Sequence, residues 1–110
     1  VIDSVLKLDE IDEKFLTDIN RFAPFGPKNM RPVFVSRAAE VVGQPQIVGN
    51  NHLKFKVKQM NKIFDAIGFE MGDYFYRLDL GRANLDIAYT IEENFWNDRL
   101  NIQLRIKDLK

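Results

Sequence analysis

His52-Leu-Lys-Phe-Lys-Val-Lys-Gln59 is the stretch that decides the fold. Apolar and basic residues alternate in it without a break, with Leu53, Phe55 and Val57 on one side and Lys54, Lys56 and Lys58 on the other. A period of two belongs to a strand, whereas a helix would scatter these residues around its circumference. Such a strand buries its apolar face and leaves the other in water. The same period recurs downstream. Leu85, Ile87, Tyr89 and Ile91 alternate with Asp86, Ala88, Thr90 and Glu92, and Leu100, Ile102, Leu104 and Ile106 alternate with Asn101, Gln103, Arg105 and Lys107. Val33–Val42 has strand-forming composition, and Ile63–Phe69 is a further apolar run. Gly43-Gln-Pro45 and Gly49-Asn-Asn51 punctuate the early strands, Met71–Gly81 reads as a short helical or irregular segment, and Glu93–Asp98 reads as a hairpin loop.

Five strands with an interruption after the third is the order of an OB-fold barrel. Strands that are only half apolar close on themselves, which hides both the apolar face and the edges. An immunoglobulin-like sandwich would take about seven strands. The fold class expected is therefore mainly β, a five-stranded OB-fold barrel over residues 32–110. An N-terminal helix and linker precede it. Residues 2–8 alternate weakly and suit a short strand. A helix is expected over 9–22, with Asp9 as N-cap, Asp12 three residues on, and a stripe of Ile11, Phe15, Ile19 and Phe22. Pro24 stops it, and Ala23-Pro-Phe-Gly-Pro-Lys-Asn29 is a turn-rich linker that sets the boundary between a lead-in segment, 1–31, and the barrel.

The 110 residues suffice for one domain, and 45% hydrophobic residues with nine Phe, three Tyr and one Trp are too apolar for a disordered chain. The absence of cysteine excludes disulfides, thiolate zinc sites and Cys nucleophiles, and fits a reducing cytosol. One histidine excludes any site that needs two. The net charge of zero hides blocks. Six acids against two lysines give −4 over residues 1–20, and seven basic residues against Glu40 give +6 over 21–60. Eight acids against three basic residues give −5 over 61–98, and four basic residues against Asp108 give +3 over 99–110. The positive blocks are where a polyanion would bind.

Several short motifs follow one another in an order similar to the C-terminal region of the RecJ family of single-stranded-DNA-specific exonucleases. They are Phe22-Ala-Pro-Phe-Gly-Pro-Lys-Asn29 with Pro32-Val-Phe34, Val48-Gly49, His52-Leu-Lys54, Asp65-Ala-Ile-Gly-Phe69, Gly72-Asp73, Asp86-Ile-Ala-Tyr89, Asn94 with Trp96, Arg99, and Leu100 to Leu104 with Gln103. One departure is Asp98, where that family often has Gly in the tight loop. The resemblance implies an OB domain that helps hold single-stranded DNA for an upstream DHH catalytic domain. There an Asp-His-His motif holds Mn2+ or Mg2+. This chain contains no Asp-His-His, so the resemblance implies no catalysis and no cofactor in the chain itself. It implies as partners single-stranded DNA, the rest of the nuclease chain and other DNA-repair proteins, with no membrane, in a bacterial cytoplasm. The rival reading is a structural or protein-docking module that braces the nuclease core or binds another repair protein.

The DNA-binding candidates are Lys54, Lys56, Lys58, His52, Asn94, Trp96, Arg99 and Arg105. Alternate residues on a strand lie about 6.6 Å apart, close to the phosphate spacing of an extended single strand. The three lysines can therefore track a backbone, and the plain alternative is a solvated face. Arg99 and Arg105, with Lys107, sit on the polar side of the last strand, where charge also blocks edge aggregation. Of Phe95 and Trp96, one suits a base-stacking role and the other a barrel-end cover. His52 suits a hydrogen bond to backbone or phosphate better than a metal. The carboxylates Asp65, Asp73, Asp79, Asp86, Glu92 and Glu93 spread over three elements with no nucleophile among them, and surface solvation explains them.

Overall fold

The computed structural model describes residues 4–22, 32–78 and 85–110. Strand β1, Ser4–Val5, leads into a 3-10 turn, Leu8–Glu10, and helix α1, Glu13–Phe22. Then come β2, Phe34–Val48, β3, His52–Gln59, and β4, Lys62–Gly68. A 3-10 turn, Gly72–Tyr74, and the short helix α2, Phe75–Leu78, separate these from β5, Leu85–Trp96, and β6, Arg99–Leu109. The strands run in the order β1-β2-β3-β4-β6-β5, and β2 also pairs with β5, so five strands close into a barrel. This is the OB-like architecture expected from the strand pattern, with a short helix before it. The pair β4–β6 is parallel, with Asp65 beside Gln103 and Ile67 beside Arg105.

Closure rests on β2. Its first part pairs with β5, from Phe34 opposite Tyr89 to Ala39 opposite Leu85, and its remainder pairs with β3 from Glu40 onward. The change of partner falls at a bulge beside Ala38, whose backbone is left-handed at φ 57°. A bulge adds a residue on one strand and sharpens its bend. The Ala38 N–H donates to the Asp86 carboxylate at 3.0 Å.

The alternating residues turn inward as the period of two requires. Leu53, Phe55, Val57, Phe64, Ala66, Ile87, Tyr89, Ile91, Leu104 and Ile106 form the core. The lead-in segment joins the same core through Leu6, Leu8, Ile11 and Leu16, and the Phe15 ring lies 5.8 Å from that of Phe34. Polar bonds fasten it as well. The Leu8 N–H donates to the Gln59 side chain at 2.6 Å, and Lys62 Nζ donates to the Ile11 carbonyl at 2.5 Å. Inside, Ser36 Oγ donates its one proton to the Leu6 carbonyl at 2.7 Å, so the Tyr89 hydroxyl, 2.7 Å away, is the donor to Ser36.

Several element bounds differ from the expectation. The N-terminal strand shortens to Ser4–Val5 among the described residues, and the helix starts at Glu13. Asp12, not Asp9, caps it, accepting the Phe15 N–H at 2.8 Å. Leu8 and Ile11 are both buried by a 3-10 turn, after which Ile11 is extended at φ −83°, so a continuous helix from residue 9 is broken. Strand β2 runs through Gly43-Gln-Pro45, because a second register shift between Val42 and Gln46 places the proline where no ladder donor is required. The hairpin loop contracts to Asn97–Asp98, at φ 52° and 58°. Two left-handed residues suit the twist of a two-residue hairpin, and Asn and Asp tolerate that conformation. The expected linker 23–29 and Gly81 lie outside the described residues.

Burial pushes the Tyr89 phenol up to about 12, against a smaller lowering by the Ser36 hydrogen bond, and the Glu10 carboxylate adds to the rise. The folded state therefore holds this proton more tightly than the unfolded chain. The contribution is complete below pH 10 and is lost as pH rises toward 12. Urea unfolding across this range should show Tyr89→Phe losing stability less steeply than wild type, by about 2 to 3 kcal/mol in total. At pH 7, Ser36→Ala should cost more than Tyr89→Phe, roughly 2 to 3 against 1 kcal/mol. It strands both the Leu6 carbonyl and the Tyr89 hydroxyl.

Candidate nucleic-acid interface

Because Leu53, Phe55 and Val57 point inward, Lys54, Lys56 and Lys58 project from the outer face of β3. Lys54 and Lys56 are exposed and Lys58 is half-buried. On the β2 side, the parted ladder between Val42 and Gln46 opens a groove of about 600 Å3. Gly43, Gln44 and Gln46 line one wall, and Lys54, Lys56 and Asp65 the other. Ammonium groups and side-chain amides there can meet both phosphates and base edges.

On the other side of β3 the register sets the neighbours. Lys54 lies beside Ile67, Lys56 beside Asp65 and Lys58 beside Ile63. Strand β6 follows, so Ile67 is flanked by Arg105 and Asp65 by Gln103, and Gln103 pairs with Glu92 of β5. The outer face is thus a mosaic, with Asp65 and Glu92 set among the cations. Arg105 Nη1 lies 3.6 Å from Glu92 Oε1, and its guanidinium carbon sits 4.7 Å from the centre of the Phe69 ring. His52 approaches the same ring edge-to-face at 5.1 Å. Its Nδ1 accepts the Glu70 N–H at 3.1 Å, which puts the proton of the neutral imidazole on Nε2.

Two of the expected binding residues, His52 and Arg105, therefore converge, although they lie on β3 and β6. Phe69 is what they converge on. Its signal was parity: Phe64, Ala66 and Gly68 turn inward, so 69 belongs with the outer positions 63, 65 and 67. Arg99 is exposed at the start of β6, opposite Trp96 across the hairpin, and Asn94 pairs with Asn101. The side chains of Asn94 and Trp96 lie outside the described residues. In the parallel β4–β6 register, Arg99 is four residues before Gln103, roughly 13 Å back along the strand. Lys54 is level with Arg105, and Lys58 is the lysine nearest the hairpin end. Strand β4 separates the lysine row from β6. Among the described residues, no three His, Asp or Glu side chains gather as metal ligands.

The RecJ OB domain family model matches residues 2–108. The chain belongs to the RecJ OB domain family. The single-stranded-DNA-specific exonuclease RecJ of Bacillus subtilis (strain 168) is 29% identical over 110 residues, a match covering 97% of this chain and 14% of that protein. The crystal structure of RecJ from Thermus thermophilus with Mn2+ is 21% identical, with a TM-score of 0.66, over 99% of this chain and 15% of that one. The same protein with Mg2+ gives 22%, a TM-score of 0.58, and 88% and 14%. These structural likenesses show the fold. The chain spans only about one seventh of its RecJ relatives.

The end of the RecJ OB face that holds His52 is set by a close approach. The Gly72 N–H donates to the Asn51 carbonyl at 3.1 Å, and a Cβ on Gly72 would collide with Asn51 Oδ1. Asn51 itself is left-handed at φ 84°. Gly72→Ala should therefore lower stability by about 1 to 3 kcal/mol. Adding Asn51→Gly, which removes the clashing amide and suits the left-handed backbone, should recover most of the loss in thermal melts.

Proposed function

We propose that this RecJ OB domain holds single-stranded DNA on the outer face of β3 and β4, guiding it to a DHH catalytic core in the same polypeptide. The parent is read as a 5′-3′ single-strand-specific exonuclease of the bacterial cytoplasm, using Mn2+ or Mg2+ in that core. The family match over residues 2–108 carries this reading. The lysine row beside an open groove supports it. So do the name of the B. subtilis relative and the Mn2+ and Mg2+ complexes of the Thermus protein. In this scheme residues 1–31 are the strand, helix and linker leading from the core into the barrel at 32–110. Lys54, Lys56 and Lys58 supply phosphate contacts, with Arg99 and Arg105 adding charge from β6 and Asn94 and Trp96 lying at the hairpin end. The chain's own residues bind and orient, and the bond-breaking chemistry belongs to the core.

Backbone contacts of this kind are salt-sensitive. Fluorescence anisotropy with an unstructured oligonucleotide should show weaker binding when Lys54, Lys56 and Lys58 are all changed to Ala. The dependence of log affinity on log salt should flatten by about two units. Circular dichroism should be unchanged, since the lysines lie on the outer face. Identical affinities and slopes would refute the lysine contacts and favour a bracing role. Incubated with single-stranded DNA and Mn2+, the purified 110-residue chain should leave the substrate intact. Metal-dependent degradation that copurifies with the chain through several steps would contradict the division of labour.

A further inference from the structure

We infer that Phe69 is a base-stacking platform on this face, with Arg105 and His52 holding its ring in place. The inference rests on the single-strand-binding reading above and names a contact which that reading does not contain. Three observations carry it. Phe69 is 43% exposed although it is large and apolar, and it sits just beyond the end of β4 on the same outer side as Asp65 and Ile67. Its ring is held from two different strands, by the Arg105 guanidinium at 4.7 Å and by His52 at 5.1 Å. Each holder has a partner of its own: Arg105 lies against Glu92, and His52 takes the Glu70 N–H. The ring is therefore packed against two side chains, each with a partner of its own, and still leaves 43% of the residue exposed.

The chemistry suits a nucleobase. A guanidinium against an aromatic ring is attracted by the ring quadrupole, and the pair offers a rigid flat surface with positive charge beside it. A base has a π-face whatever its identity, so such a surface is tolerant of sequence. Lys54 is level with Arg105 in the sheet register, with only Ile67 between them. A phosphate on Lys54 would then leave its nucleoside within reach of the Phe69 ring, and the lysine row would carry the chain onward along β3. The contact is apolar on the Phe69 side, so it adds affinity without adding to the salt slope. That separates it from the lysines.

The test is a coupling measurement on the 110-residue chain. Anisotropy titrations of wild type, Phe69→Ala and Phe69→Leu use a short oligonucleotide and a set in which one abasic site is moved along it. Stacking predicts that both variants bind the intact strand roughly 5- to 100-fold more weakly, with the salt slope unchanged. It also predicts one or a few abasic positions where wild type is weakened and the variants are not, since the base and the ring are then partners already lost. Phe69→Trp should retain or improve binding. Melting curves confirm that the variants are folded. If Phe69→Ala and Phe69→Leu bind as wild type does, or lose the same factor at every abasic position, Phe69 is a structural cap and the inference fails while the lysine reading stands. If folded wild type binds no strand even at low salt, both fail.

Discussion

The barrel closes through the bend in β2, and Asp86 joins three strands beside it. Its carboxylate takes the N–H of Ala38, where β2 bends out of one pairing and into another. Its backbone exchanges both hydrogen bonds with Lys110, at 2.9 Å each, at the far end of β6. A left-handed alanine costs roughly 1–2 kcal/mol. The bend is worth that cost because a straight 15-residue strand could pair along only one sheet. Bent, β2 serves β5 with its first part and β3 with the rest, and the sheet closes without a long free edge.

Closure then dictates the rest of the interior. The parallel β4–β6 pairing needs a crossover, and among the described residues the Gly72–Leu78 segment and β5 lie between these two strands in the chain. The opposite side is covered by the lead-in segment. Leu8 and Ile11 are almost wholly buried, and three side chains, Ser36, Gln59 and Lys62, each bond to the backbone of this segment. The Ser36–Tyr89 hydroxyl pair matters most here. It satisfies the Leu6 carbonyl and two hydroxyls together among buried residues, where any one left alone would be costly.

The same closure shapes the outer face. By placing β4 beside β6 it brings Arg105 level with Lys54, while the β3–β4 and β5–β6 hairpins set Asp65 beside Lys56 and Glu92 against Arg105. The face is therefore not a uniform positive field. Its cations stand apart at defined intervals, with a groove lined by Gln44, Gln46, Lys54, Lys56 and Asp65 on one flank and the Phe69 ring on the other. Charge on this face is therefore local, whereas the net charge of the whole chain is zero.

Period-two alternation was enough to read five strands, their inward faces and the lysine row, because side-chain direction in a strand is a local property of the backbone. The motif series was enough to suggest the family. Bounds were less legible. Whether Asp9 or Asp12 caps α1 depends on burying both Leu8 and Ile11 against the barrel. Whether Gly43-Gln-Pro45 ends a strand or bulges within one depends on a partner, β3, that continues past it. What only the tertiary structure decided is which outer residues meet. His52 and Arg105 are 53 positions apart in the chain and share one ring, because the β3-β4-β6 order is a consequence of barrel closure. No local pattern contains that order. Strand pairing is chosen by the whole set of inward-facing side chains at once, through the burial that only the closed barrel provides.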